Sequence, residues 1–247
     1  MDSFTSSLLL GVAAGSANVL GGVMVVARRG PWDPRILHGF VALSAGFMLA
    51  AALLRMGPEA VELTRAAPLL ILAGYLLVHL FEHTIAPHFH FGEETHPHLV
   101  VGSSIWASAF MGLVVHSLFD GISIASGFLI SPALGLLVFA AIILHKAPEG
   151  FAIASVMVAA GVRRSGAFAS AVAVGLASVA GVLAAQALSE YVGAALALST
   201  GVTLYVAASD LIPEVNKEEG AMMALLVFAG VALFYASELC LSALGLA

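Results

Sequence analysis

Charge is what this chain most lacks. Of 247 residues only 10% are charged, against roughly a quarter in ordinary soluble domains. Hydrophobic residues make up 61% and the mean hydropathy is +1.05, so there is too little polar surface to coat a water-soluble body of this size. The net charge of -6 sits mostly in short connections. No basic patch is left for a nucleic-acid partner. The one cysteine, Cys240, excludes an internal disulfide framework and a Cys-rich zinc module. No basic leader precedes the first apolar stretch, which therefore reads as a retained helix and not as a cleaved signal. The partner these features imply is the lipid bilayer.

What is abundant is apolar sequence in span-length runs. A bilayer core needs about 20 apolar residues per helix. Eight candidates follow: 5–27, 37–56, 67–84, 101–129, 132–160, 165–188, 192–212 and 221–246. Run length favours helix over strand. Arg28-Arg29-Gly30-Pro31 ends the first span and Gly57-Pro58-Glu59 the second; Ser131-Pro132 makes a tight turn between the fourth and fifth. One set of connections carries Arg28, Arg29, Arg35, Arg163, Arg164 and Lys217, and the other only Arg55 and Arg65. The positive-inside bias makes the first set cytoplasmic and puts both termini outside. The remaining cation, Lys146, lies within the fifth span. Residues 1–247 read as a single transmembrane domain with no added soluble domain, and 85–100 as a His-rich cytoplasmic loop within it.

The chain also repeats itself. Gly46-x-x-Leu49-x-x-Ala52 before Pro58-Glu59 recurs as Gly201-x-x-Leu204-x-x-Ala207 before Pro213-Glu214, at an offset of 155 residues. Ala73-Gly74-x-x-Leu77 with Glu82 recurs as Ala229-Gly230-x-x-Leu233 with Glu238, offset by 156. A fainter echo links Gly15-x-Ala17-Asn18-Val19-x-Gly21 to Gly175-x-Ala177-Ser178-Val179-x-Gly181. Matched spans run in opposite directions, and inverted repeats are a recurring transporter design.

Chemistry concentrates in spans four and five. Span four reads His116-Ser-Leu-Phe-Asp120-Gly121, and span five His145-Lys-Ala-Pro-Glu149-Gly150. Residues four apart share one helix face. Two such faces opposed present two imidazoles and two carboxylates to one point. That donor set suits zinc, iron or manganese over calcium or magnesium. Ionisable groups at bilayer depth cost several kcal/mol unless paired or hydrated, and by default they mark a functional pathway. A purely structural cluster is less economical, since Gly, Ser or Thr pair helices more cheaply. Outside these spans, His79, Glu82, His83, His88, His90, His96 and His98 form a candidate low-affinity exit relay, with Glu93 and Glu94 among them. Asp210 and Glu214 at one end of span seven are candidates for metal release. Glu238 in span eight has no evident partner.

These features resemble the ZIP family of divalent-metal transporters, whose helix four typically carries His-Asn-x-x-Asp-Gly and helix five His-Glu-x-Pro-Glu-Gly. The resemblance implies an all-α bundle of eight helices in a 3+2+3 inverted repeat. It also implies metal movement into the cytoplasm by an elevator-type sliding of helices one, four, five and six. The ligands it assigns are His116, Asp120, His145 and Glu149, with Met48 as an additional one. The cargo is a divalent ion, zinc first and iron, manganese or cadmium after it; no resident cofactor is expected. The implied protein is not an enzyme; it lies in the plasma (inner) membrane as a multi-pass chain, and a homodimer is one assembly open to it. Many relatives hold a second metal, and here its ligand positions correspond to Ser117, Lys146 and Ser178. An ammonium in place of an anion implies one metal per site. The alternative from another class is an intramembrane zinc hydrolase, which needs an open coordination position and a separate base.

Overall fold

The computed structural model describes residues 2–27, 34–84, 103–187, 189–217 and 221–245. Among them every regular element is helical. We number the helices α1 (Ser3–Ala27), α2 (Pro34–Ala50), α3 (Ala67–Thr84), α4 (Ser103–Ile130), α5 (Pro132–Ala159), α6 (Arg164–Ala187), α7 (Val192–Tyr205) and α8 (Ala221–Ala243). Among the described residues, seven helical stretches are long and apolar enough to cross a membrane. α3 has 18 residues, or about 27 Å at 1.5 Å per residue, slightly less than a 30 Å hydrocarbon core.

Local chemistry explains the boundaries that matter most. Asp2 accepts a hydrogen bond from the Thr5 amide at 2.8 Å and starts α1; that bond holds its carboxyl below the usual carboxylate range. Between α4 and α5, Ser131 is extended (φ -154°, ψ 152°), and its hydroxyl accepts from the Leu134 amide at 3.2 Å. Pro132 follows at the first helical position, where its missing N–H costs nothing. α5 ends on Gly161 at φ 80°, with Val162 N–H donating to the Met157 carbonyl at 2.9 Å. That is a glycine-closed helix end.

Gly57-Pro58-Glu59 does not end the second span. α2 runs on through a π-helical segment, Ala51–Met56, into a further α-helical stretch, Gly57–Leu63. The physical reason is the wider turn: Gly57 N–H donates to the Ala52 carbonyl, a register in which the proline's missing donor is absorbed without a break. α7 does the same, through Val206–Leu211 into Ile212–Val215, with Ile212 N–H on the Ala207 carbonyl.

Glycine seams hold the bundle together. α1 packs most extensively on α5 and α6, α4 on α6 and α5, α2 on α8, and α3 on α7. A Cβ placed on Gly15 would lie 2.5 Å from the Gly175 carbonyl oxygen, and one on Gly175 would lie 2.6 Å from that of Gly15. Gly46 of α2 abuts the Val227 carbonyl, and Gly230 of α8 abuts the Leu43 carbonyl. Gly201 of α7 meets the Ile71 carbonyl, and Gly74 of α3 meets that of Leu198. Glycines matched in the sequence repeat thus occupy corresponding seams. Without a hydrophobic drive between helices in lipid, such backbone proximity is what association rests on.

Glu238 proves to have a partner. Arg55 Nη1 lies 3.8 Å from its Oε1, with the two side chains 31% and 27% exposed. No local sequence rule joins residues so far apart. Both residues lie within membrane-length helices, so removing one member strands an ion there, at a cost of up to about 2.5–3.5 kcal/mol, the value for a helix centre. Arg55→Leu is therefore expected to destabilise the protein more than the double variant Arg55→Leu/Glu238→Leu. Unfolding in mixed micelles measures this, and a double variant at least as unstable as the single one refutes it.

Candidate metal site

Four side chains converge where α4 and α5 face one another. One ligand atom from each of His116, Asp120, His145 and Glu149 can be chosen so that all lie within 4.8 Å of one another. All four residues are buried, His116 the most exposed at 8% and Glu149 at 0%. The i, i+4 spacing delivers each pair to one face of its helix, as the paired motifs require. The α4–α5 turn brings the faces together: a Cβ on Gly127 would lie 2.9 Å from Gly135 Cα. From behind, Gly150 lies against Asn18 of α1, and Gly121 against the Ser178 carbonyl of α6.

The spacing within the cluster fits a tetrahedral ion. His116 Nε2 and His145 Nε2 are 3.4 Å apart, and each is 3.3 Å from Asp120 Oδ2. Ligands about 2.0–2.1 Å from tetrahedral zinc stand about 3.3 Å from one another. Three of the donors thus already form one face of such a tetrahedron. The fourth, Glu149 Oε2, is 4.0 Å from His145 Nε2.

Tautomer adds a second argument. His145 Nδ1 lies 3.2 Å from the Ala141 carbonyl oxygen; a carbonyl only accepts, so Nδ1 donates there and Nε2 is the nitrogen turned toward the cluster, an orientation that suits a metal-binding histidine. Nε2 stands 3.3 Å from Asp120 Oδ2, a separation at which the two can share either a proton or a cation. The arrangement can therefore hold a divalent ion. Ala141 escaped the sequence reading, although a carbonyl four residues before a helical histidine is a signal that could have found it.

Lys146 shares the site. Its Nζ lies 2.7 Å from Asp120 Oδ2 and 2.6 Å from Glu149 Oε2, and it also donates to Ser117 Oγ. Ser117 in turn donates to Glu149 Oε1 at 2.7 Å. Lys146 and Ser117 are both fully buried. Ser178, the third residue paired with them in the sequence comparison, is fully buried as well, and its hydroxyl has no hydrogen-bond partner among the described residues.

The other candidates fall elsewhere. Met48 is fully buried in an apolar cluster with Phe47, Val206 and Leu211. His79 on α3 is exposed and stacks edgewise on Tyr205, with centroids 6.0 Å apart. Next to it, Tyr75 shares a 2.7 Å hydrogen bond with Ser209. Asp210 is buried in the π-helical part of α7. Glu82, His83 and Glu214 lie in helices whose side chains at those positions are outside the described set, and His88, His90, Glu93, Glu94, His96 and His98 lie outside the described residues altogether.

Comparison with known proteins bears on the chain as a family member. Residues 104–238, which carry both paired motifs, match the ZIP zinc transporter family. Zinc transporter ZIP9-B of Xenopus laevis is 31% identical over 158 residues, covering 59% of this chain and 52% of that protein. Zinc transporter ZIP9 of Micropogonias undulatus is 32% identical over 160 residues, 59% and 50% of the two chains. That of Macaca fascicularis is 34% identical over 118 residues, 43% and 50%. The chain spans about half the length of these curated relatives. On the family match and the converging histidines and carboxylates together, this chain belongs to the ZIP zinc transporter family.

Proposed function

We propose that this chain carries divalent metal ions, zinc foremost with iron, manganese or cadmium as lesser cargoes, through the bilayer by way of the α4–α5 site. The single observation that carries the reading is the buried convergence of His116, Asp120, His145 and Glu149, the first three at tetrahedral edge lengths and Glu149 at 4.0 Å from His145. The names of the ZIP9 relatives support zinc. The ligands are these four, with Met48 as an additional thioether. One ion is held at a time, because Lys146 and Ser117 fill the space beside it and Ser178 brings no charge.

The architecture we propose is a 3+2+3 inverted repeat, with α1–α3 matched to α6–α8 around α4 and α5. Supporting it are the corresponding glycine seams and the two π-helical segments, Ala51–Met56 and Val206–Leu211, set 155 residues apart like the sequence motifs around them. Both termini face outward, and the chain is one domain in the plasma membrane. Metal moves toward the cytoplasm as α1, α4, α5 and α6 slide against the other helices. The extensive packing of these four on one another supports treating them as a unit. The hydrolase alternative gains no such support, since both carboxylates fall within the ligand cluster and leave neither as a separate base.

Zinc-dependent uptake into proteoliposomes containing the purified chain tests the function; no uptake above protein-free vesicles refutes it. The His-rich segment is proposed as an exit relay only. Deleting 88–98 is expected to change the rate or apparent affinity by less than about tenfold, since His-rich tracts bind metal without much specificity. Complete loss of uptake in a folded deletion would reverse the ranking of the two clusters.

A further inference from the structure

Lys146 holds the same oxygens that an incoming ion needs. Its ammonium is fully buried and bridges Asp120 Oδ2 and Glu149 Oε2 at 2.7 and 2.6 Å. Asp120 Oδ2 is also the atom that faces both imidazoles at 3.3 Å, and Glu149 Oε2 is the one donor displaced from tetrahedral spacing, at 4.0 Å from His145. We propose that Lys146 is a tethered counter-cation of the transport cycle: it compensates the carboxylates while the site is empty, so that the emptied carrier can return, and it gives up their oxygens when cargo arrives. The proposal rests on the transporter reading and deepens it.

The argument is one of charge. Counting the two carboxylates and the ammonium alone, the empty site carries a single negative charge. A divalent ion turns this into a single positive charge. Without the ammonium the loaded site would be neutral and the empty site doubly negative. The cost of keeping a charged cluster out of water rises with the square of its net charge. Lys146 therefore spreads the penalty evenly over the loaded and empty legs, where its loss would concentrate it on the return. Because it competes for the carboxylate oxygens, it also loosens the cargo and speeds release. Ser117 fits this role: it bonds Lys146 and Glu149 together and can keep the ammonium beside the site after the carboxylates have turned to the ion.

Two fluxes separate this positioning role from a structural one. Net zinc uptake into metal-free vesicles requires the empty carrier to return, whereas zinc–zinc exchange with zinc on both sides does not. For the full chain in proteoliposomes, Lys146→Gln keeps hydrogen bonding and size but removes the charge. It is expected to lower net uptake about tenfold or more while exchange falls less than about threefold, the loss following the uncompensated charge. Zinc binding in detergent should tighten by about tenfold or more, because the competing ammonium and its repulsion of the incoming cation are both gone. Lys146→Arg, which keeps the charge, should hold the ratio of uptake to exchange near the wild-type value. Lys146→Met repeats the Gln result if charge is the cause. A ratio unchanged in folded Lys146→Gln, with both fluxes lost together or neither lost, overturns the proposal. Failure of the transporter reading looks different: the wild-type chain then shows neither flux.

Discussion

Asp120→Ala is expected to lower zinc flux by more than about a hundredfold, since even groups that merely support metal ligands cost 10–100-fold when removed. Asp120 Oδ2 is the atom on which the site converges, 3.3 Å from His116 Nε2, 3.3 Å from His145 Nε2 and 2.7 Å from Lys146 Nζ. Its removal takes away one anionic donor and leaves the buried ammonium with Glu149 as its sole carboxylate neighbour. Breaking a buried ion pair from one side costs about 3–5 kcal/mol, so this variant also loses stability. His116→Ala separates the two effects. His116 forms no hydrogen bond to Lys146, and its loss should cost flux nearly as heavily with little change in thermal stability. Asp120→Asn keeps the shape and tests charge alone. Uptake measured beside melting temperature in detergent decides the matter: near-normal flux in either well-folded alanine variant would remove that residue from the site.

Much of this site was legible because its logic is local. Two His-x-x-x-carboxylate-Gly segments place four donors on two helix faces by period alone, and the intramembrane cost of charge marks them as functional. Lys146 could be read as a cation inside a span, and its departure from the family pattern is what led to the role proposed for it. What escaped has a long-range cause. The Arg55–Glu238 pair joins α2 to α8, and nothing in either segment points to the other. The extension of α2 past Gly57-Pro58 was also hidden, because the rule that proline ends a helix assumes α-helical register. The π-helical turn evades it, and the second occurrence before Pro213 shows that this is a repeated device. The glycines were visible as a repeat but not as contacts. Only the packed bundle reveals that Gly46 and Gly201, matched in sequence, each press on the backbone of a partner helix.

Those seams set the second large effect. Gly150→Val is expected to abolish recovery of folded protein, and Gly121→Val to do nearly the same. A Cβ on Gly150 would overlap the backbone carbonyl oxygen of Asn18, and one on Gly121 would overlap that of Ser178 while also standing 2.8 Å from the Val182 amide nitrogen. These obstacles are backbone, so no side-chain rotation relieves them, and the helices must separate. Overpacking of this kind costs typically 1–3 kcal/mol for a yielding core and more for one that cannot move. Here the loss also reaches the site: Glu149 and Asp120 each precede the affected glycine, and sub-ångström displacement of α5 from α1 would shift Glu149 relative to both histidines. Gly150→Ala brings the same Cβ without valine's two methyls, and should therefore weaken zinc binding in whatever fraction folds. Gly112→Ala on the same α4 is the control. Its added Cβ would meet only Phe81 Cε1 at 3.7 Å, an ordinary contact, and alanine is the better helix former by about 1 kcal/mol. Monodisperse yield on size-exclusion chromatography and zinc binding of the recovered protein give the readout. Wild-type yield and binding for Gly150→Val would mean that α1 does not press against α5 beside Glu149.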